Sequence, residues 1–258
     1  LGICFGVMTL ITVISVMNGF QAYSINPILE LSSYHLRITD YPEEKYAEIM
    51  DFCNASQRIK HAVPFSEAQG LLAGKSGKTV PAMLRSMDEN VSMQDKGFSK
   101  ELKMIAGKFN LTEKDSVVLG YGLADTLRAG IGSEINVLAL SGGSDVSLLS
   151  SARKLTVKGI YVCTFPDLQD SMGFISPLAA AEYFGSQPLT VIGIKVNHYE
   201  QDLAAIGELK SAFPEITVQS WRDYNRSFFS ALRVEKNILI LLICLIFIVV
   251  GVNIFNGM

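Results

Sequence analysis

Apolar residues dominate both ends of the chain, and charged residues occur only between those ends. The first charged residue is Glu30 and the last is Lys236, while 15 of the 18 residues in 238–255 are Ile, Leu, Val or Phe. As a helix, residues 237–258 span roughly 33 Å, and these side chains favour a bilayer by roughly 5 to 9 kcal/mol. A buried core helix normally keeps a polar stripe, which this segment lacks. We therefore predict a membrane helix here.

The segment 1–20 predicts a second membrane helix, although Thr and Ser interrupt its apolar run. Gly2 and Gly6 suit close packing between helices. A signal peptide is the alternative, but the segment has no basic start and no small-residue cleavage site. Because the sequence starts with Leu1 and stops within an apolar run, we expect a fragment of a longer protein.

The region between these helices begins and ends with a β-α-β pattern. Alternation predicts a strand at 35–40, and Asp40 followed by a charged first turn predicts a helix at 42–52. The next predicted strand is 58–65. Strand 189–196, helix 200–213 and strand 215–219 repeat the order at the other end. Two such units predict an α+β fold of the split βαβ, ferredoxin-like type.

A β-rich stretch separates the two units. Gly74-Lys75-Ser76-Gly77 has the composition of a hairpin turn between two strands. Further elements are predicted as strands at 69–73, 79–84, 117–120, 134–140 and 155–162 and short helices at 123–129 and 177–183. Ser176 and Pro177 have the residue types of a helix N-cap and first position. We interpret 85–185 as an inserted subdomain.

The net charge limits the kinds of partner that the protein binds, but the charge pattern does not decide on which side of the membrane the domain lies. The net charge of −3 argues against a nucleic-acid binder. Arg222, Arg226, Arg233 and Lys236 precede the second apolar segment, as in cytoplasmic loops. However, domains of this length are translocated largely regardless of charge. Cys53 and Cys163 either pair in an oxidising compartment or stay free, and free thiols are favoured.

No motif for catalysis is found in the sequence. His35, His61 and His198 are isolated, and no Cys/His/Asp/Glu cluster has metal-ligand spacing. A phosphate loop ending at Gly74-Lys75-Ser76 needs Gly at the position of Gln69, so a hairpin turn is the better interpretation. We therefore predict a binding and force-transmitting protein that is not an enzyme, without metal or cofactor.

Three sequence blocks resemble the lipoprotein-releasing permease family LolC/LolE of bacterial ABC transporters. They are Ser15-Val16-Met17-Asn18-Gly19-Phe20; Trp221-Arg222-Asp223 with Phe228-Phe229, Ala231-Leu232-Arg233 and Glu235-Lys236-Asn237; and Val118-Leu119-Gly120 with Leu123-Ala124, Leu127, Gly130 and Gly132. The match to the family spans the whole chain. The end blocks are specific, and the middle block is looser.

The resemblance implies a periplasmic domain held between membrane helices of a permease subunit in the bacterial inner membrane. It implies a truncated first helix (1–20), a Porter-like module (21–84 and 186–220), an inserted Sabre-like subdomain (85–185), and a periplasmic helix running into the second membrane helix (221–258). Implied partners are a cytoplasmic ATPase that uses ATP and Mg, a second permease copy or paralogue, a triacylated lipoprotein as substrate, a periplasmic carrier, and membrane lipid. Nucleic acid is not among them.

Two groups of site residues follow from the resemblance. Residues near the outer helix ends are expected to contact acyl chains: Met17, Phe20, Phe228, Phe229 and Leu232. The hairpin 141–154 takes the position of the LolC hook that holds the carrier, with Gly142, Gly143, Ser144, Asp145, Arg153 and Lys154 as candidates. Its sequence lacks the prolines and the Gln-Arg pair of that hook, so LolC-like and LolE-like roles both stay open. The alternative role of the first group is packing between helices. The alternative to a carrier-binding loop is a solvated turn without a binding role.

Other functions stay open from sequence. A MacB-type exporter and an FtsX-type regulator share the long domain after the first helix. A two-span sensor with an extracytoplasmic ligand-binding domain is the alternative from another class. The residues beyond the second apolar segment distinguish them, because a transporter continues into more membrane helices.

Overall fold

The computed structural model describes residues 2–75, 77–141, 146–183 and 190–256. The chain forms two compact units, one of Leu1–Asn26 with Arg222–Met258 and one of Pro27–Trp221. The α-helices are α1 (Gly2–Pro27), α2 (Tyr46–Ala55), α3 (Val91–Gln94), α4 (Lys96–Glu101), α5 (Tyr121–Leu127), α6 (Pro166–Ser171), α7 (Pro177–Tyr183), α8 (Asp202–Ala212), α9 (Trp221–Tyr224) and α10 (Arg226–Asn256). The strands are β1 (Leu36–Asp40), β2 (Ile59–Ala73), β3 (Thr79–Met87), β4 (Lys103–Gly107), β5 (Ser116–Gly120), β6 (Glu134–Ser141), β7 (Val146–Val162), β8 (Met172–Ile175), β9 (Thr190–Val196) and β10 (Thr217–Ser220).

The first unit contains the long helices α1 and α10, so both apolar ends of the sequence are helical. Gly6 of α1 lies against the ring of Phe247 of α10, where a Cβ would come within 3.1 Å of the ring. This agrees with the predicted role of small residues in helix packing. Within the described residues, no helix has the length and hydropathy needed to cross a membrane.

The second unit contains a ten-stranded sheet, and one half of it has the ferredoxin-like order. The strands run β10-β1-β9-β2, all antiparallel to their neighbours. Helix α2 connects β1 to β2, and α8 connects β9 to β10. Numbered within the module, this is strand order 4-1-3-2 of a split βαβ fold, as the periodicity predicts. Apolar residues of β1, β9, α2 and α8 form its core.

The inserted strands extend the same sheet as β3-β8-β5-β7-β4. Strand β2 joins the two parts because it is long. Its first half pairs with β9, its second half pairs with β6, and β3 runs along its other edge. A second core lies where α5 and α7 pack on the inserted strands. A third core, centred on Phe65, Phe98 and Phe174, fills the opposite face.

Several predicted elements are confirmed. The β2–β3 turn closes with hydrogen bonds between Gly74 and Lys78 and between Gly77 and Gly74, and Gly77 has φ +74°. Gly74-Lys75 is therefore part of a hairpin and not of a phosphate loop. The Ser176 hydroxyl accepts a hydrogen bond from the Ala179 N–H (3.0 Å), which confirms the N-cap of α7.

Other predictions at the level of elements were wrong. A break at 66–68 is not observed, because β2 continues through Glu67, whose charge is paired within the sheet. Helix α2 begins at Tyr46, after a 3-10 turn at Glu43–Lys45. Helix α5 ends at Leu127 and not at Ala129, because Arg128 has a left-handed conformation (φ 53°). Elements α3, α4, α6, β4 and β8 have no counterpart among the predicted elements.

Candidate functional site

The residues proposed to contact acyl chains all lie on the first unit. Met17 and Phe20 belong to α1, and Phe228, Phe229 and Leu232 belong to α10. Met17 and Leu232 are half-buried. Other apolar side chains of these helices are exposed, for example Met8 and Leu241, at 60% and 72%. The two helices therefore present an uncovered apolar surface.

The end blocks of the resemblance lie on the same two helices and on α9. Ser15, Asn18 and Gly19 lie on α1, and the space beside the Gly19 Cα is open within the described structure. Glu235, Lys236 and Asn237 are exposed on α10. Trp221, Arg222 and Asp223 form α9, where Trp221 is buried and the other two are exposed.

The middle block of the resemblance has a structural role. Leu119, Leu123 and Leu127 are completely buried in the core under α5. A Cβ at Gly120 would come within 2.6 Å of the carbonyl carbon of Gln169. A Cβ at Gly122 would come within 2.6 Å of the carboxylate carbon of Asp170. These glycines let α6 approach the β5–α5 turn. The block therefore positions the fold and contributes no binding group.

The predicted carrier-binding loop is described only at its base. Gly142, Gly143, Ser144 and Asp145 lie outside the described residues. Arg153 and Lys154, on β7, form ion pairs with Glu182 and Glu134, each at 3.0 Å. Arg153 also donates to the Glu182 carbonyl oxygen (2.8 Å). Their charges are partly balanced by neighbours, and their carrier role stays a prediction.

The site that the sequence analysis missed is a set of buried charges where the chain enters the second unit. We define this junction cluster as three cations and three carboxylates: Arg37, Arg85, Lys195, Glu30, Glu67 and Asp95. Each cation is at most 3% exposed, and Asp95 is 2% exposed. Charges are rarely buried so completely unless they are paired.

Glu67 lies at the centre of one half of the junction cluster. It pairs with Arg37 and with Arg85, which is 2.8 Å away and directly opposite it on β3. Burial, the largest influence, raises the pKa of Glu67, but the two guanidinium groups and their hydrogen bonds together hold it below its usual value. Glu67 is therefore a charged, fixed acceptor. Both guanidinium groups also lie on the Phe65 ring, at 5.1 Å for Arg37 and 4.2 Å for Arg85.

Lys195 organises the other half of the junction cluster. It pairs with Glu30 and with Asp95. Asp95 also accepts hydrogen bonds from the Gly97 and Phe98 N–H groups and so caps α4. The cluster thus connects α4 and the strands β1, β2, β3 and β9 to the segment around Glu30.

That segment is a π-helical turn, Ile28–Ser32, which continues directly from α1. Arg85 donates hydrogen bonds to the carbonyl oxygens of Leu31 (2.6 Å) and Ser32 (2.7 Å), and Lys195 donates to that of Glu30 (3.0 Å). The last four carbonyl groups of a helix lack partners within the helix. Here buried cations of the sheet satisfy three of these groups.

The chain leaves the second unit beside the place where it enters. The Trp221 N–H donates to the His35 carbonyl oxygen (3.0 Å), and the His35 Nδ1 accepts from the Val196 N–H (2.9 Å). Tyr199 packs edge-on against both the His35 and Trp221 rings. His35 precedes β1 and Trp221 follows β10, so adjacent strands carry the two connections to the long helices.

In the part of the chain that the structure describes, no three or more His, Cys, Asp or Glu side chains lie together with metal-binding geometry. All four cysteines are free, with Cys53 buried and Cys163 half-buried. The open alternative for Cys53 and Cys163 is thus decided in favour of free thiols.

Comparison with known proteins agrees with the resemblance found in the sequence. Residues 1–212 match the family described as the MacB-like periplasmic core domain. The chain is 26% identical over 267 residues to the lipoprotein-releasing system transmembrane protein LolC of Neisseria meningitidis, covering 100% of this chain and 63% of that protein. LolC of Haemophilus influenzae is 28% identical to this chain over 269 residues, and the alignment covers 100% of this chain and 64% of that protein. The chain thus spans less than two thirds of these curated relatives.

Two solved structures are similar to part of this chain. The periplasmic region of MacB from Actinobacillus actinomycetemcomitans aligns with 76% of this chain and 93% of its own, with TM-score 0.46 and 12% identity. The extracellular domain of the noncanonic ABC-type transporter YknZ from Gram-positive bacteria aligns with 72% of this chain and 98% of its own, with TM-score 0.44 and 13% identity. On the strength of the match over residues 1–212, the chain belongs to the family of the MacB-like periplasmic core domain.

Proposed function

We propose that this chain is part of a permease subunit of a lipoprotein-releasing ABC transporter. The observation that carries the proposal is the placement of the two connections. The domain is inserted between two long apolar helices, which join it through the neighbouring strands β1 and β10. Similarity to LolC proteins over the whole chain supports lipoproteins as the substrate class.

In this proposal, α1 and α10 lie in the bacterial inner membrane and the sheet domain lies in the periplasm. The uncovered apolar side chains of both helices support contact with lipid or with other membrane helices. The absence of charge after Lys236 supports the same placement. The alternatives with the same topology, a MacB-type exporter and an FtsX-type regulator, gain no support from the LolC similarity.

The chemistry of the substrate explains why a transporter of this kind needs energy. Each acyl methylene buried in a bilayer contributes about 0.8 kcal/mol of anchoring, so a triacylated protein does not leave spontaneously. We propose that a separate cytoplasmic ATPase, with ATP and Mg, supplies this energy. The permease itself is not catalytic, works with a second copy or a paralogue, and passes the lipoprotein to a periplasmic carrier.

Native mass spectrometry of the full-length protein, purified from its host membrane, tests this proposal. We expect an ATPase subunit and a triacylated lipoprotein to copurify with it. An ATPase with a bound peptide, drug or cell-wall hydrolase would instead assign the protein to an exporter or regulator. The absence of any ATPase would contradict a transporter and favour a two-span sensor.

A further inference from the structure

The end of the helix that continues from α1 is attached to the interior of the sheet. Leu31 and Ser32 carbonyl oxygens accept from Arg85 of β3, and the Glu30 carbonyl oxygen accepts from Lys195 of β9. Helix ends are more commonly capped by local residues or by water. Here the capping groups lie 53 to 165 residues away along the chain.

Stability alone does not explain the junction cluster. Removing two charges from water costs several kcal/mol per ion, and apolar residues of similar volume often stabilise a core equally well or better. Apolar residues, however, cannot form directional hydrogen bonds to the carbonyl groups of the helix end. The Arg85 guanidinium is fixed by Glu67 and donates to two successive carbonyl groups, so it sets the orientation of the helix end.

The backbone beyond the helix end is equally constrained. Tyr34 has φ +55°, a conformation that is uncommon for an aromatic residue, and it turns the chain from the helix into β1. Its ring is completely buried and stacks on Phe65 at 5.4 Å. Gly193 leaves the space for this ring, because a Cβ there would come within 2.6 Å of it.

We propose that Arg85 and Lys195 are positioning residues of the transport cycle. They hold the helix end at Ile28–Ser32 on β3 and β9, so that a displacement of α1 moves the sheet and does not unwind the connection. This inference rests on the proposed function, since it names the residues through which helix movement reaches the domain.

The test uses the full-length permease with its ATPase in lipid nanodiscs. Two rates are measured on each variant, namely ATP hydrolysis and the release of a triacylated lipoprotein to a soluble acceptor. For Arg85→Met we expect ATP hydrolysis to persist while the lipoprotein released per ATP falls about fivefold or more, the size of a typical coupling between sites. Arg85→Lys should restore part of the ratio, because an ammonium still donates to one carbonyl group.

Two further variants guard against a simple folding defect. In Arg37→Met/Glu67→Leu/Arg85→Met, apolar side chains replace the whole Glu67 half of the junction cluster, so that no buried charge is left unpaired. The control Arg58→Met removes an exposed ion pair with Glu208 (3.2 Å) in the same module. We expect the triple variant to lose coupling like Arg85→Met, and the control to keep the wild-type ratio.

Hydrogen exchange locates the effect. In Arg85→Met and the triple variant, amides of 28–34 should exchange about tenfold or more faster, while β2 and β9 keep their protection. An unchanged release-to-ATP ratio in folded variants would overturn the proposal, and so would slow exchange in 28–34. If the wild-type complex releases no lipoprotein, the proposed function fails, and the exchange measurement still decides whether Arg85 holds the helix end.

Discussion

His35 connects the start of β1 to the strand β9 and to the exit of the chain at Trp221. Its Nδ1 accepts a hydrogen bond from Val196, so the neutral ring is the form that the fold requires. Burial, assisted by the nearby Lys195, lowers the pKa of His35 from 6.5 to about 4, although Glu30 and Asp95 act in the opposite direction. The connection between domain and helices therefore contains a group that resists protonation.

This pKa predicts a pH dependence of stability. The unfolded chain binds a proton at His35 near pH 6.5 and the folded chain only near pH 4, so stability falls as the pH is lowered through this window. The loss amounts to about 3 kcal/mol. In His35→Asn the amide oxygen can keep the Val196 bond without titrating. Hence the wild type should lose stability relative to this variant between pH 6.5 and 4.

Fluorescence of the single tryptophan, Trp221, reports unfolding at this place in a denaturant titration in detergent. The same substitution at the exposed position 198, His198→Asn, is the control for the change of side chain. A constant difference between the wild type and His35→Asn across the window would contradict the prediction.

Gly120 illustrates a residue whose importance in the family pattern is structural. Its missing side chain lets the backbone of Gln169 approach, so Gly120→Ala must displace α6. Overpacking of this kind typically costs about 1 to 3 kcal/mol. We expect Gly120→Ala to unfold at lower denaturant concentration. Gly207→Ala, in α8 with open space around it, should instead stabilise the protein by about 1 kcal/mol. Equal midpoints for the two variants would be inconsistent with this account.

At the scale of elements, the hairpin β6–β7 carries the predicted contact with the carrier. Arg153 and Lys154 lie at its base in ion pairs that contribute little to stability. Replacing both with Ala should leave the fold intact and weaken carrier binding about three- to tenfold, mainly through slower association. Surface plasmon resonance with the purified carrier measures both rates.

The matched control for this pair is Lys100→Ala/Lys103→Ala, which removes two exposed lysines near β4. It separates a local contact from a general effect of net charge. Unchanged affinity in the Arg153→Ala/Lys154→Ala variant, or an equal loss in the control, would remove the carrier role of these two residues.

The elements that could be predicted from sequence are those with local signals. Alternation indicates β1, the Val- and Ile-rich run of 190–196 indicates β9, and the Gly74-Lys75 turn indicates the hairpin between β2 and β3. Strand β8 could not be predicted because it has only four residues, all buried, and so shows no alternation. The break expected at 66–68 was wrong for a different reason. Glu67 suits a loop by itself, and only Arg37 and Arg85 from neighbouring strands make it suitable for the sheet.

The junction cluster was missed because its members come from six separate segments. A signal is nevertheless present, since Arg37, Arg85 and Lys195 each follow directly on an apolar residue within a strand (Leu36, Leu84 and Ile194). A single charge of this kind is usually interpreted as the exposed side of a strand. Three of them in strands that share one sheet face indicate a buried network, but the strand order is needed before they can be placed together.

At the scale of the whole molecule, the chain combines a folded domain with two long helices that expose many apolar side chains. Among the described residues, no group of side chains has metal-binding geometry, and the two connections of the domain leave from adjacent strands. Under the proposed function, the substrate is recognised by its acyl chains, and the apolar residues of α1 and α10 are the candidates for this contact.

A photo-crosslinker placed at Met17 or at Phe229 tests this assignment in the full-length protein in its native membrane. We expect capture of triacylated lipoprotein, because the apolar surface of the two helices should take up acyl chains that water excludes. An unacylated version of the same lipoprotein should not be captured. Met93, an exposed apolar residue of the sheet domain (79%), is the matched control position and should capture neither form. Equal capture of both forms at Met17 and Phe229 would mean that these positions contact the protein part of the substrate, and the helices would then serve packing and not acyl recognition.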